Sequence, residues 1–454
     1  MIRKLAIFTA LASILSVSTT ADALVSTKYT GSCQFLAKET GKYPEKKVKG
    51  FKSEATFKKM QNANQLMADG NKAQAKAILM EIKNSSSDSF TLSIVNQYLA
   101  RLAYDAGNFN QAVQYARQVV ELDALPVNAI LSMKKQVAYA YVAKKDYKNA
   151  INWLKQYFDQ VIKPPVSDYK MLAQLYYQDK QYKSAICPSY IALKKTSKAK
   201  DKEPLYKMLF GMHYRLKDLA GSAKILAEMI NFYPNNKQYW EQLYSIEHQR
   251  GDTKAALAVS ELAYQKGLWT TEKEIKNLAS MHANNGSPYN AAARIEEGIK
   301  KGIVKSNVEN LKLLARFLDQ AKADDKAISA YRRLINTTGS GKYAFRIGNI
   351  HFSKEKYKEA ISAFNEAVQK GGLSSSEAGN TYLQLGAAKF YLGQEAGAIQ
   401  ALNKAKNYEQ TRKSATSWVG FIQEKQRIRE LMKKDAAELE AEVAAETEKA
   451  EETE

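Results

Sequence analysis

The sequence predicts an all-α fold, a right-handed α-solenoid of about ten stacked helix–turn–helix units followed by a C-terminal capping helix. Three observations predict it. An alanine recurs about every 35 residues, at Ala75, Ala112, Ala150, Ala185, Ala223, Ala256, Ala291, Ala327, Ala360 and Ala398. A turn signal stands about five residues before seven of them: Gly70-Asn71, Gly107-Asn108-Phe109, Lys145-Asp146-Tyr147, Gly251-Asp252, Gly286-Ser287, Glu355-Lys356-Tyr357 and Gly393-Gln394. A second set of small residues lies in the helix before each turn, at Ala100, Ala138, Ala173, Gly211, Ala279, Ala315, Gly348 and Gly386. Helices that cross closely need small side chains where their axes meet, because a branched one holds them apart. A unit of this size cannot bury its apolar face alone, so neighbours must stack.

From the amino end, Arg3 and Lys4 precede an apolar run, Leu5 to Val17, and then Ala21-Asp22-Ala23. That order is a secretory signal peptide over 1–23, with cleavage after Ala23; an uncleaved anchor is the alternative. The apolar run is short for a membrane span, and no other stretch is long enough, so no integral span is expected after signal removal. A basic pre-repeat segment covers 24–51 and the array 52–410. Bulky fillers surround the crossings, among them Trp240, Leu243, Leu311, Leu314, Tyr382, Leu385 and Phe364. The fifth unit is the weakest, since Leu216-Lys217-Asp218-Leu219 allows two registers one residue apart. A capping helix over 411–434 carries Trp418, Phe421 and Ile422. Residues 435–454 hold nine acidic residues against one lysine, which reads as a solvated, disordered acidic tail.

The chain has two cysteines, Cys33 and Cys187, both in the exported part. In an oxidising compartment they form a candidate disulfide that closes a long loop. The alternative is a packed Cys187 and a loose Cys33. Net charge is +21, and the acidic tail makes the preceding residues more basic still. Such charge suits an anionic partner, although lysine-rich helix exteriors also keep a long solenoid soluble. Nucleic acid is not expected as a partner of an exported chain.

The frame of turn, small residue and filler resembles the tetratricopeptide repeat (TPR) family over about residues 52 to 410. That resemblance implies a groove lined by the first helix of each unit. Carried over, it places Arg101, Tyr104, Lys135, Tyr139, Lys170, Tyr177, Arg215, His248, Lys276, Lys312, Arg316, Phe345 and Phe352 on the groove. Arginine and lysine there meet carboxylates, and tyrosine offers flat area to an extended peptide. Lys135 is followed four residues later by Tyr139 rather than Asn, so the carboxylate-clamp subclass does not match.

Catalytic chemistry is not indicated. His213, His248, His282 and His351 fall in different units, never at metal-chelating helical spacing, and no nucleophile motif occurs. Gly339-Ser340-Gly341-Lys342 lacks the upstream glycine of a phosphate loop and joins two helical units. No cofactor and no metal site are expected, and the chain reads as a non-enzyme.

A narrower resemblance is carried by Tyr239-Trp240-Glu241-Gln242-Leu243 through Arg250-Gly251-Asp252, Ala255-Ala256-Leu257, Leu278-Ala279 and Ala291-Ala292-Ala293. These runs, with the signal peptide and basic pre-repeat segment, resemble the periplasmic TPR proteins encoded beside TonB systems. The resemblance implies a periplasmic scaffold whose partner is a TonB-complex component and whose role is to assist energised uptake of iron chelates. The alternative is an envelope assembly factor for outer-membrane proteins or polysaccharide export.

Overall fold

The computed structural model describes residues 40–451, and all regular structure among them is helical. The expected signal peptide, its cleavage at Ala23, and Cys33 lie outside the described residues. The chain forms two compact units, Met1–Val259 and Ser260–Glu454.

In the first unit α1 (Glu54–Ala68) turns back into α2 (Lys72–Ser85), α3 (Ser89–Asp105) into α4 (Phe109–Leu122), and α5 (Val127–Ala143) into α6 (Tyr147–Phe158). Next come α7 (Val166–Gln178) with α8 (Tyr182–Lys195), α9 (Ala199–Arg215) with α10 (Leu219–Phe232), and then α11 (Lys237–Gln249). The boundary between the units falls within α12 (Thr253–Gln265). The second unit continues with α13 (Glu272–Asn284) and α14 (Pro288–Lys300), then α15 (Val308–Gln320) and α16 (Asp324–Thr338). It ends with α17 (Gly341–Ser353) and α18 (Tyr357–Lys370), α19 (Ser375–Tyr391) and α20 (Glu395–Ala405), and α21 (Glu409–Glu451). This is the all-α architecture of tandem helical hairpins.

Every hairpin turn is built the same way. The first helix ends in a Schellman motif, where a backbone N–H reaches back five residues to a carbonyl left open by the helix end. Asn108 donates to Ala103 at 2.8 Å, Asp146 to Tyr141 at 2.9 Å, and Lys356 to His351 at 3.0 Å. The motif needs a left-handed residue just before the donor. Glycine supplies it at Gly70, Gly107, Gly251, Gly286 and Gly393, but Lys145, Lys180, Lys217, Lys322 and Glu355 adopt positive φ instead. A side chain in that region costs about 1 kcal/mol, so these five turns are held by what surrounds them. The donor residue often caps the next helix: Asn108, Asp146, Asp218 and Asp252 each accept a first-turn N–H.

All ten recurring alanines are buried. Nine lie five residues past the left-handed residue, where the two helices cross. The fifth unit differs from expectation. Lys217 is its left-handed residue and Asp218 its cap, so the crossing falls on fully buried Ser222 rather than Ala223. The small residue expected opposite, Gly211, does not serve there, for a Cβ added to it meets nothing within 4 Å. Close approach occurs instead at Gly221, where a Cβ would lie 2.3 Å from Nδ1 of His213. Elsewhere the expected contacts form, as at Gly348, whose added Cβ would sit 2.4 Å from the Phe364 ring. In the second unit one apolar core runs from Ala279 through Leu334 and Phe364 to Ala401.

The two ends are tied down differently. The last part of the basic pre-repeat segment lies across three inter-hairpin loops of the first unit. The Tyr43 hydroxyl accepts the Ile162 N–H at 3.0 Å, Lys46 pairs with Asp123 at 2.7 Å, and Lys52 pairs with Asp88 at 3.3 Å. Phe51 packs edge-on against Phe90 at 5.3 Å. Cys187 on α8 is buried and disulfide-bonded. At the other end α21 covers α20 with Ala415, Val419 and Ile422. The helix does not stop near 434, where the capping segment was expected to end, but continues through the Ala- and Glu-rich residues to Glu451. Those residue types are strong helix formers.

The two glycine environments give opposite expectations. Gly211→Ala stabilises the protein by about 0.5–1 kcal/mol, because a helical glycine in open space only adds freedom to the unfolded chain. Gly348→Ala destabilises it by about 1–3 kcal/mol, because the Phe364 ring must move. Urea midpoints of the two variants against the native chain check both signs.

Candidate functional site

The first helices enclose three cavities with expected groove residues on their walls. Arg101, Tyr104 and Tyr139 line one of about 420 Å³ between α3 and α5, floored by Ala100, Ala112 and Ala116. Lys170 and Tyr177 line one of about 600 Å³ between α7 and α9, joined by Lys200, Lys207 and Met208. In the second unit Lys312 and Arg316 on α15 face Lys342 and Arg346 on α17 across about 450 Å³. Tyr331 and Tyr343 lie beneath these cations, stacked with ring centroids 6.3 Å apart. Burial, with the Asp319 carboxylate that its hydroxyl bonds, pushes Tyr331 up to about 12, so it stays protonated. Of the four cations, Lys342 is the one that a carboxylate holds among the described residues, Glu377 at 3.1 Å. Both rings are buried and belong to the second-unit core, so it is the cations that the cavity offers to a carboxylate.

Most of the other expected groove residues have partners within the protein. Lys135 pairs with buried Asp168 at 2.9 Å, and Asp168 also accepts the Tyr157 hydroxyl. Lys276 is held by Glu309 and Glu272. Phe345 is buried against Phe364, and Phe352 packs edge-on against Tyr357 at 5.6 Å, so both serve the core. The Arg215 guanidinium lies 5.4 Å over the Tyr182 ring and bonds Tyr177. His248 is exposed beside Tyr244.

Two features escaped the sequence reading. Lys342, Tyr343 and Arg346 complete the second-unit cavity, but sit where the sequence showed only a failed phosphate loop. That loop is closed by its own chain: Gly341 donates to the Gly371 carbonyl at 2.8 Å, and a Cβ on it would meet the Ala367 carbonyl at 2.1 Å. Aromatic pairs also clasp the turns edge-on, Tyr104 with Phe109 at 5.4 Å and Tyr177 with Tyr182 at 5.5 Å. The signal was present as an aromatic three residues before the left-handed residue and another two after it.

Buried ionisable groups form structural ties. In the second unit Glu261 on α12 accepts from His282 on α13 at 3.0 Å and from Arg294 on α14 at 2.8 Å. Arg294 also bonds Glu297 at 2.7 Å and covers the Tyr264 ring at 5.0 Å. Burial works to raise the Glu261 carboxyl, but hydrogen bonds from His282 and Gln265 and the Arg294 charge outweigh it and hold it at about 2. A carboxylate so firmly ionised is no proton donor at neutral pH. In the first unit His213 sits between the Tyr190 hydroxyl at 3.0 Å and Asp218 at 2.8 Å. Among the described residues no group of His, Cys, Asp and Glu is placed to hold a metal ion, and no helix is long and apolar enough to cross a membrane.

Tetratricopeptide repeat families match residues 99–161 and 341–369, so the chain contains tetratricopeptide repeats. No curated protein matches the sequence. Among solved structures the chain is similar to MamA, at 15% identity over 39% of this chain and 94% of that one, with a TM-score of 0.30. It is also similar to the P58(IPK) TPR domain, at 14% identity over 83% and 99%, TM-score 0.23. A third is the C-terminal part of a TPR protein from Cytophaga hutchinsonii, at 14% identity over 62% and 95%, TM-score 0.32. Likeness at this distance says nothing of partners.

The Glu261 tie sets an acid limit. Its carboxyl lies below the ordinary 4.5, so its stabilisation is complete above that value and is lost as pH falls toward about 2. Glu261→Gln lowers stability at pH 7 by about 1–3 kcal/mol, since it removes the charge that His282 and Arg294 bond and leaves the partly exposed Arg294 with Glu297 as its carboxylate. The variant then loses less than the native chain between pH 4.5 and pH 3. Urea midpoints across that range measure both effects.

Proposed function

We propose that this chain is a non-catalytic scaffold of the bacterial periplasm that grips an extended, acidic segment of a protein partner along its first helices. Tetratricopeptide repeats generally mediate protein–protein contacts. The observation that carries the reading is the second-unit cavity, where Lys312, Arg316, Lys342 and Arg346 gather. Within the first unit two cavities pair cations with tyrosines, which suits side chains of an extended peptide bound to that unit. The cations supply orientation and fast encounter, while exposed Tyr104 and Tyr139 in the first unit supply area at low entropic cost.

In its finer form the proposal makes the chain an accessory component of a TonB system for iron-chelate uptake, with a TonB-complex protein as partner. The runs around Trp240, Ala256 and Ala291, the apolar leader ending at Ala23, and the basic surface support it.

Crosslinked pull-down from envelopes tests both levels. The double variant Lys312→Glu/Arg316→Glu reduces partner capture by at least about tenfold, the loss of two charge-assisted contacts, while its circular dichroism stays native. Undiminished capture by the folded variant removes the site. Recovery of outer-membrane assembly proteins in place of TonB-complex components removes the finer reading and leaves the scaffold standing.

A further inference from the structure

We infer that an aromatic platform at the end of the second unit docks a proline-rich, acidic segment of a partner protein in polyproline II conformation. Tyr357 on α18 stacks on Tyr391 at the end of α19, ring centroids 4.9 Å apart and 17° from parallel. From Tyr391 the rings continue to Trp418 at 6.2 Å and then to Phe421 at 6.0 Å, both on α21. Half-buried Phe352 and Phe390 lie beneath, each in ring contact with Tyr391. Phe390 stands where Tyr104 and Tyr177 stand in their turns, but the residue that would clasp it is Glu395, so Trp418 and Phe421 cover it instead. Tyr391 is 53% and Phe421 51% exposed. The platform shares no residue with the second-unit cavity, so it stands whether or not that cavity grips a partner.

Ring geometry and free donors select the occupant. Trp418 stands nearly at right angles to Tyr391, at 79°, and to Phe421, at 86°, which leaves notches between the rings rather than a flat sheet. A proline ring fills such a notch, and polyproline II returns a residue to the same face every third position. The Trp418 indole N–H and the Tyr357 and Tyr391 hydroxyls have no hydrogen-bond partner among the described residues, and the first two are open to solvent. A polyproline II backbone makes no internal hydrogen bonds and leaves its carbonyls free to accept from such donors. An α-helical partner has already committed its carbonyls.

Charge adds direction. Lys425 lies 5.5 Å from the Phe390 ring and 5.8 Å from the Phe421 ring, with no carboxylate paired to it among the described residues. The carboxylates near it are engaged elsewhere, Glu395 by Gln426 and Arg429, and Glu424 by Arg427. An acidic residue beside the prolines is therefore drawn to the Lys425 end, while Glu355, beside Tyr357, keeps it from the other. A sugar chain also stacks on aromatic rings, but its hydroxyls ask for acceptors, and around Trp418 the open groups are donors.

Isothermal titration of the full chain tests the inference with a capped oligoproline of about ten residues, whose lack of charge gives the cavity cations nothing to hold. It binds with a Kd of about 0.1 mM, and a capped alanine-rich peptide or a β-1,4-linked glucose oligosaccharide binds at least about tenfold more weakly. Tyr391→Ser/Phe421→Ser abolishes binding while circular dichroism and the thermal melt stay native, because both side chains are largely exposed. Trp418→Phe keeps a ring, removes the N–H and weakens binding about threefold to tenfold. One glutamate added to the oligoproline tightens binding about twofold to fivefold, and Lys425→Gln removes that gain. No binding of oligoproline up to about 1 mM overturns the inference. So does equal binding of the alanine-rich peptide, preference for the oligosaccharide, or binding indifferent to Tyr391→Ser/Phe421→Ser or to Trp418→Phe. A glutamate gain that survives Lys425→Gln overturns the seating of the acid.

Discussion

The close crossing of two helices at a small residue is the constraint on which every hairpin rests. It admits Ala, Ser or Gly and little else, and it works only if the turn returns the second helix at a fixed angle. The Schellman turn provides that angle by satisfying the open carbonyls of the first helix while the next residue caps the second. Where the left-handed position is Lys or Glu, the turn is strained and the crossing must hold it. Position and turn therefore constrain one another, and the fifth hairpin shows the dependence. With Lys217 left-handed, the crossing moves to Ser222 and the helices close on Gly221, beside His213.

The period was legible because it is enforced by sterics at nearly every repeat, and sterics leave a mark in composition. The fifth register was not legible, since no glycine marks its turn and Ser222 and Ala223 are both small. Lys312 and Arg316, placed on a first helix by the repeat frame, line the second-unit cavity. Lys135 and Lys276 each pair with an acid one repeat further on, Asp168 and Glu309, both 33 residues away. A frame applied to one unit at a time cannot see a partner contributed by the next. Phe345 and Phe352 were misplaced because an aromatic on the groove side of a helix serves the core as readily as the surface. Arg346 and Tyr343 were passed over beside a sequence that looked like a phosphate loop.

The buried ionic ties complement the steric ones. Crossings fix geometry within a hairpin. Glu261, His282 and Arg294 instead join three consecutive helices, and a charge cluster that must be fully satisfied tolerates only one arrangement of them.

In a linear array of repeats the terminal member is the one most easily lost, because it has a neighbour on one side only. The segment from Tyr43 to Lys52 changes that at the amino end. By touching the loops at Asp88, Asp123 and Ile162, it makes the departure of the first hairpin dependent on contacts made as far along as the loop after the third. Peeling from that end becomes a concerted event across several hairpins instead of a stepwise one. A protease or unfoldase acting there meets a clasp rather than a frayed edge.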